Sequence, residues 1–71
     1  MTGHTLEAPF YGHRMRFTPW PDGTVEVQNV AWISHPYAAW LPQGLGRRLP
    51  VGEARSLWSQ LRAREWTRLG S

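Results

Sequence analysis

The clearest hydrophobic pattern in the chain lies between Val51 and Leu69. Apolar residues recur there at intervals of three and four, which places them along one stripe of an amphipathic helix. Polar and basic side chains occupy the opposite side of the same helix. A helix of this length is marginal in isolation, so its stripe must pack against an earlier part of the chain. The stripe consists of Ala54, Leu57, Trp58 and Leu61.

The helix is predicted to begin at Pro50 or Val51, because proline is tolerated in a first helical turn. It is predicted to end near Arg64 or Glu65. Continuing the helix further would leave Trp66 well off the apolar stripe, whereas an extended segment would turn that side chain back toward the core. The sequence therefore also allows a short final strand at a sheet edge.

Two runs of alternating apolar and polar residues, over positions 10–18 and 24–28, predict strands before the helix. Between them, Pro21, Asp22 and Gly23 supply the fixed φ, the side-chain acceptor and the positive φ that a tight turn uses. The two runs therefore predict an antiparallel hairpin. The predicted structural core combines its inward positions with the helix: Met15, Phe17, Val25, Val27, Ala54, Leu57, Trp58, Leu61 and Trp66.

The alternation slips after Gln28, because Val30 and Trp32 fall on the opposite parity to the two preceding valines. A bulge at this point or the end of the strand would each account for the slip. Further along, residues 36–41 fit either one helical turn or an extended crossing, and residues 42–46 are predicted to form a loop. Trp32 is expected in or near the core.

Together these elements predict an α+β fold in which a small antiparallel hairpin or sheet is packed by one C-terminal helix. A chain of 71 residues supports one small core, which we assign to residues 10–69. Residues 1–9 show no hydrophobic period and are predicted to form a flexible N-terminal tail. No long apolar run and no basic-then-apolar leader occur, so a cytoplasmic protein without a membrane span is expected.

The C-terminal half also resembles a known family. The residues that carry the resemblance run from a basic pair to a tryptophan: Arg47-Arg48-Leu49, Ala54, Leu57-Trp58, Leu61 and Trp66. They resemble the small cyanobacterial proteins of the domain-of-unknown-function family 1651, which tend to share a basic pair, an Ala-x-x-Leu-Trp helix and a terminal Gly-Trp. The resemblance implies a small protein of cyanobacterial type and brings no catalytic residue with it.

Candidate chemistry for catalysis or metal binding is sparse. His4, His13 and His35 lack the spacings of metal ligands, and the chain contains no Cys. The one Asp, Asp22, is accounted for by the turn, and neither a phosphate-binding loop nor a nucleophile elbow is present. We therefore expect a protein that is not an enzyme, with no cofactor, no metal and no small-molecule substrate implied by its sequence.

All eight basic residues are arginines, and they give the chain a net charge of +3. Guanidinium groups bind carboxylates and phosphates in a bidentate way, although codon bias in a GC-rich genome would produce the same composition. Arg14, Arg16, Arg47 and Arg48 are predicted to form a basic patch if the outer sheet face adjoins the segment before the helix. The other interpretation is a solvated surface. Aromatic residues of the first strand point away from these arginines, which counts against base stacking.

Three aromatic residues fall in predicted loops: Trp20, Tyr37 and Trp40. Exposed Trp and Tyr near Arg are typical anchors of protein interfaces, whereas a satellite cluster that caps the core is the other interpretation. The favoured hypothesis is a non-enzymatic interaction module that binds a protein partner or forms a homodimer through these loops. The alternative is a small basic nucleic-acid-binding protein that uses the arginine patch.

Overall fold

The computed structural model describes residues 3–36 and 38–69, which form five strands and one helix. Every pair of neighbouring strands is antiparallel, and their order across the sheet is β4-β3-β2-β1-β5. The predicted α+β class is confirmed, together with the C-terminal helix and the final edge strand. The elements are β1 (His4–Glu7), β2 (His13–Pro19), β3 (Thr24–Ile33), β4 (Ala39–Pro50), α1 (Val51–Ala63) and β5 (Thr67–Leu69).

The helix crosses the sheet because it connects strands at opposite edges. Strands β4 and β5 are separated by four strand spacings, or about 19 Å. Thirteen helical residues rise by about 20 Å, which is enough to span that separation. We call the sheet face that α1 covers the inner face and the opposite one the outer face.

The hydrophobic core lies between α1 and the inner face of the sheet. All nine residues predicted for the core belong to it, and Leu6 and Leu49 join them. Residues from β1, β2, β3 and α1 thus enclose a single apolar cluster, in keeping with the size of the chain. Its buried members are Leu6, Phe17, Val27, Ala54 and Leu61, and Met15, Val25, Leu49, Leu57, Trp58 and Trp66 pack around them half-buried.

The predicted flexible tail is wrong for residues 4–7, which form β1. This strand lies inside the sheet between β2 and β5, and the side chain of Leu6 is completely buried. Four residues with one apolar side chain show no periodicity, so the strand owes its order to pairing on both sides. Residues 1–2 of the predicted tail lie outside the described part of the chain.

The slip in alternation also has a different cause from the two that were predicted. Strands β2 and β3 pair without interruption from His13 opposite Ala31 to Pro19 opposite Val25, so β3 neither ends nor bulges against β2. Instead β3 points apolar side chains to both faces. Its first half supplies the inner face, whereas Val30, buried to 9% exposure, belongs to the outer face.

The irregularity lies in β4, within the predicted loop over residues 42–46. One residue of β3, Gln28, stands opposite three residues of β4, from Gly44 to Gly46. The Gln28 side-chain amide is buried and donates hydrogen bonds to the carbonyl oxygens of Gln43 and Gly44, at 3.2 and 3.1 Å. Because these carbonyls are paired in this way, the strand continues through the bulge instead of breaking.

The helix ends in a Schellman motif with an unusual residue in its left-handed position. The N–H of Trp66 donates to the carbonyl of Leu61, and the N–H of Glu65 donates to the carbonyl of Arg62, both at 3.1 Å. Glu65 has a φ of +71°. Glycine is usual here, because a Cβ makes the left-handed conformation costly.

Replacing Glu65 with glycine is therefore expected to raise the free energy of unfolding by about 0.5–1 kcal/mol, since it removes the strain of the left-handed residue. Urea denaturation monitored by far-ultraviolet circular dichroism measures the change. Glu53→Gly in the first turn of α1 is the matched control and should lower stability by a similar amount. Equal losses in both variants would contradict the assignment of the cap.

Candidate protein-interaction face

The outer face carries polar and aromatic side chains in rows across the strands. Successive side chains of a strand point to opposite faces, and partners in the register point to the same one. Arg14 therefore shares its row with Val30, and Trp32 shares the next row with Trp40. The outer face is formed chiefly by Glu7, Arg14, Arg16, Thr18, Glu26, Gln28, Val30, Trp32, Trp40, Arg48 and Leu69.

Four of these side chains form what we call the Trp40 cluster: Glu7, Arg14, Trp32 and Trp40. The Arg14 guanidinium carbon lies 3.8 Å from the centroid of the Trp40 ring. The same guanidinium binds the Glu7 carboxylate with two nitrogens at 3.0 Å. The Trp32 and Trp40 rings meet edge to face with centroids 5.7 Å apart. The Arg14 guanidinium is thereby held in one orientation on the Trp40 indole ring before any partner binds.

A shallow groove of about 310 Å³ adjoins the Trp40 cluster. Its far wall is the loop between β1 and β2, in which Phe10 is 55% and Tyr11 is 85% exposed. Phe10 is steadied by edge-to-face contacts with His13 and Trp66, at centroid distances of 5.1 and 6.0 Å. The groove is thus concave, with an aromatic loop on one side and the Trp40 ring on the other.

Trp20 lies at the other end of the outer face and forms a second arginine–tryptophan stack. The Arg48 guanidinium carbon lies 3.6 Å from the Trp20 ring centroid, and its Nη1 lies 3.4 Å from the Asp22 carboxylate. The pKa of Asp22 is lowered, first by hydrogen bonds from the hydroxyl and backbone N–H of Thr24 and then by Arg48. An ion pair therefore joins the turn between β2 and β3 to the end of β4.

The three predicted interaction residues are not brought together. Trp20 precedes Thr24 at the start of β3, whereas Trp40 pairs with Trp32 near the end of that strand. Thr24 and Trp32 are eight residues apart in the extended strand β3, which separates the two ends by about 26 Å. Tyr37 lies outside the described residues. Trp20 is 40% exposed, and Trp40 is half-buried within its cluster.

The predicted basic patch is divided between the two faces of the sheet. Arg47 is the register partner of Val27 and belongs to the inner side, whereas Arg14, Arg16 and Arg48 lie on the outer face. Carboxylates neutralise Arg14 and Arg48. Arg16 is exposed and forms no ion pair with any residue in the described ranges. The outer face therefore has little net positive charge.

The expectation that aromatic residues avoid the arginine face is correct for Phe17 in β2 but overlooks β3 and β4. Trp32, expected in or near the core, instead lies on the outer face with Trp40 and Arg14. Trp32 lies five residues after Val27, and an odd separation in an unbroken strand places two side chains on opposite faces. This spacing was the sequence signal for the outer position of Trp32. That signal could be used only once β3 was known to continue unbroken past Gln28.

Within residues 3–36 and 38–69, no three His, Asp or Glu side chains come close enough to hold a metal ion. The helix found in these ranges is too short and too polar to cross a membrane. Comparison of the chain with protein-family models, curated proteins and solved structures finds no match. The resemblance to family 1651 therefore stays a prediction.

Proposed function

We propose that the protein is a non-enzymatic interaction module that binds protein surfaces through the Trp40 cluster and the neighbouring Phe10–Tyr11 loop. The observation that carries the proposal is the Arg14 guanidinium stacked on Trp40 while it is fixed by Glu7. Trp, Tyr and Arg dominate the binding energy of protein interfaces, and rigid anchors lose little entropy on binding. The groove beside them would receive an apolar side chain of the partner.

The charge distribution favours a protein partner over a nucleic-acid backbone. Phosphate binding requires free cationic groups, and two of the three outer-face arginines are already paired with carboxylates. A protein interface tolerates such pairs at its rim, where they contribute mainly to specificity. The balanced charges also allow two copies of the face to approach one another without strong repulsion.

A second copy of the chain is the partner that this surface favours first. The half-buried Trp32 and Trp40 place apolar area on a sheet face that no second layer of the described chain covers. A stable interface buries about 800 Å² on each partner, which is roughly a sixth of the 5190 Å² exposed by the chain. The chain also has no Cys, and association would supply the stability that small domains often draw from disulfides.

Sedimentation equilibrium at low and high salt tests the proposal. We expect a dimer that persists in high salt, and we expect Trp40→Ala to weaken its association constant by at least about tenfold. Val51→Ala, which removes an exposed apolar side chain from the helix, is the control and should leave the association unchanged. A monomer at every concentration, or equal behaviour of the two variants, would contradict association through this face.

One observation favours nucleic-acid binding as a second candidate. Arg16 is exposed on the same face as Trp32 and Trp40, so a cation and aromatic rings occur together. Protein purified without nuclease would then carry nucleic acid that dissociates steeply with added salt. Arg16→Ala should reduce that binding and leave a salt-resistant dimer intact, so the two candidate functions give opposite results.

A further inference from the structure

The inner face contains an apolar groove of about 440 Å³ beside the first two turns of α1. The diagonal path of the helix leaves this part of the sheet open. Phe17 and Ala54 are buried within the groove wall at 5% and 3% exposure, and Val25 and Trp58 are half-buried beside them. A groove of this size and lining falls in the range of small-molecule sites.

The polar residues that line this groove are few, and they are cationic or hydrogen-bonding. Arg55, Ser59 and His4 lie there. Arg55 makes no ion pair with the described residues, which leaves its charge available to a ligand. His4 lies edge-on to Trp58 with centroids 5.9 Å apart, and its Nδ1 lies 3.3 Å from Nη2 of Arg68. Among residues 3–36 and 38–69, no carboxylate lines the groove.

We propose that this groove binds a small amphipathic carboxylate, a molecule with a hydrocarbon body and one anionic end. The body would replace water over the half-buried Val25 and Trp58, and the carboxylate would pair with Arg55 at the rim. Apolar walls with Arg55 at the rim favour a molecule with an anionic end over a neutral hydrocarbon. The proposal is independent of the outer face, because none of the groove residues belongs to the Trp40 cluster.

Medium-chain fatty acids serve as probes, and amide chemical shifts in ¹H–¹⁵N spectra report where they bind. We expect octanoate to shift the amides of the lining residues, and to bind about 15-fold more tightly than hexanoate because two further methylenes are buried. Octanol should bind more weakly than octanoate. Shifts scattered over the molecule, or affinity independent of chain length, would overturn the proposal.

Two pairs of measurements distinguish binding in this groove from nonspecific binding to apolar surface. Arg55→Gln should weaken octanoate binding about fivefold and leave octanol binding unchanged. Ser59→Phe should fill the groove and abolish octanoate binding, whereas Ser56→Phe on the same helix lies outside the lining and should not. Retained binding in Ser59→Phe, or octanoate affinity unaffected by Arg55→Gln, would overturn it. A second copy of the chain that occupies the groove would also overturn the proposal. In that case Ser59→Phe would weaken self-association in sedimentation experiments.

Discussion

Replacement of Leu6 by alanine is expected to lower the free energy of unfolding by about 3 kcal/mol. The Leu6 side chain is completely buried, and it belongs to the same core cluster as Phe17, Ala54 and Leu61. Truncation would leave a cavity that the paired strands on both sides of β1 hold open. Thermal and urea denaturation measure the effect, and the melting temperature should fall by roughly 15 °C.

Leu45→Ala is the matched control, because it removes the same atoms from a side chain that is 97% exposed. That change should alter stability by less than about 0.5 kcal/mol. If the two leucine variants were equally stable, β1 would not contribute to the core, and the N-terminal segment would be the loose tail that its sequence pattern predicts. Comparison of Leu6→Ala with Leu45→Ala therefore tests whether residues 4–7 form a strand of the sheet, where the sequence pattern predicts a flexible tail.

Trp58→Ala is the second substitution with a large expected effect, a loss of about 3 kcal/mol. Trp58 packs edge to face on Phe17, with ring centroids 5.1 Å apart, and it contributes to the core from the middle of α1. Because the side chain is half-buried, the loss should fall at the lower end of the range for tryptophan truncations. Urea denaturation of the purified variant measures it.

Trp20→Ala serves as the control of equal size, since Trp20 contacts Arg48 on the surface and is absent from the core cluster. It should cost about 1 kcal/mol or less. Trp58→Phe should recover much of the stability lost in Trp58→Ala, because it retains an aromatic ring against Phe17. A loss in Trp20→Ala as large as that in Trp58→Ala would contradict the placement of the helix.

The predictable parts of the fold are those whose signals are local. The helix stripe from Ala54 to Leu61 and the Pro21-Asp22-Gly23 turn each occupy a short window, so the α+β class followed from them. Strand β1 could not be predicted, because its order comes from the distant strands β2 and β5. The bulge in β4 could not be predicted either, since one proline and two glycines within five residues are typical of a loop.

The candidate site was predictable only in part. The sequence indicates Trp40 as a contact residue because Trp20 and Trp40 are hard to bury together in so small a domain, and Trp40 does belong to an aromatic cluster. Its contact with Arg14 spans three strands and depends on the register of β3 with both neighbours. Which face of that sheet stays open depends in turn on the path of α1. Neither property is present in the spacing of residues along one strand.

Strand β4 borders the sheet, so its outward backbone groups offer hydrogen bonds to any extended chain that approaches. The bulge at Gly44–Gly46 divides this border into two short stretches that are out of line with each other. Pro42 removes a donor from the first of them. A continuous ladder cannot be added along such a border. The edge formed by β4 is therefore a poor template for growth into fibrils by strand addition.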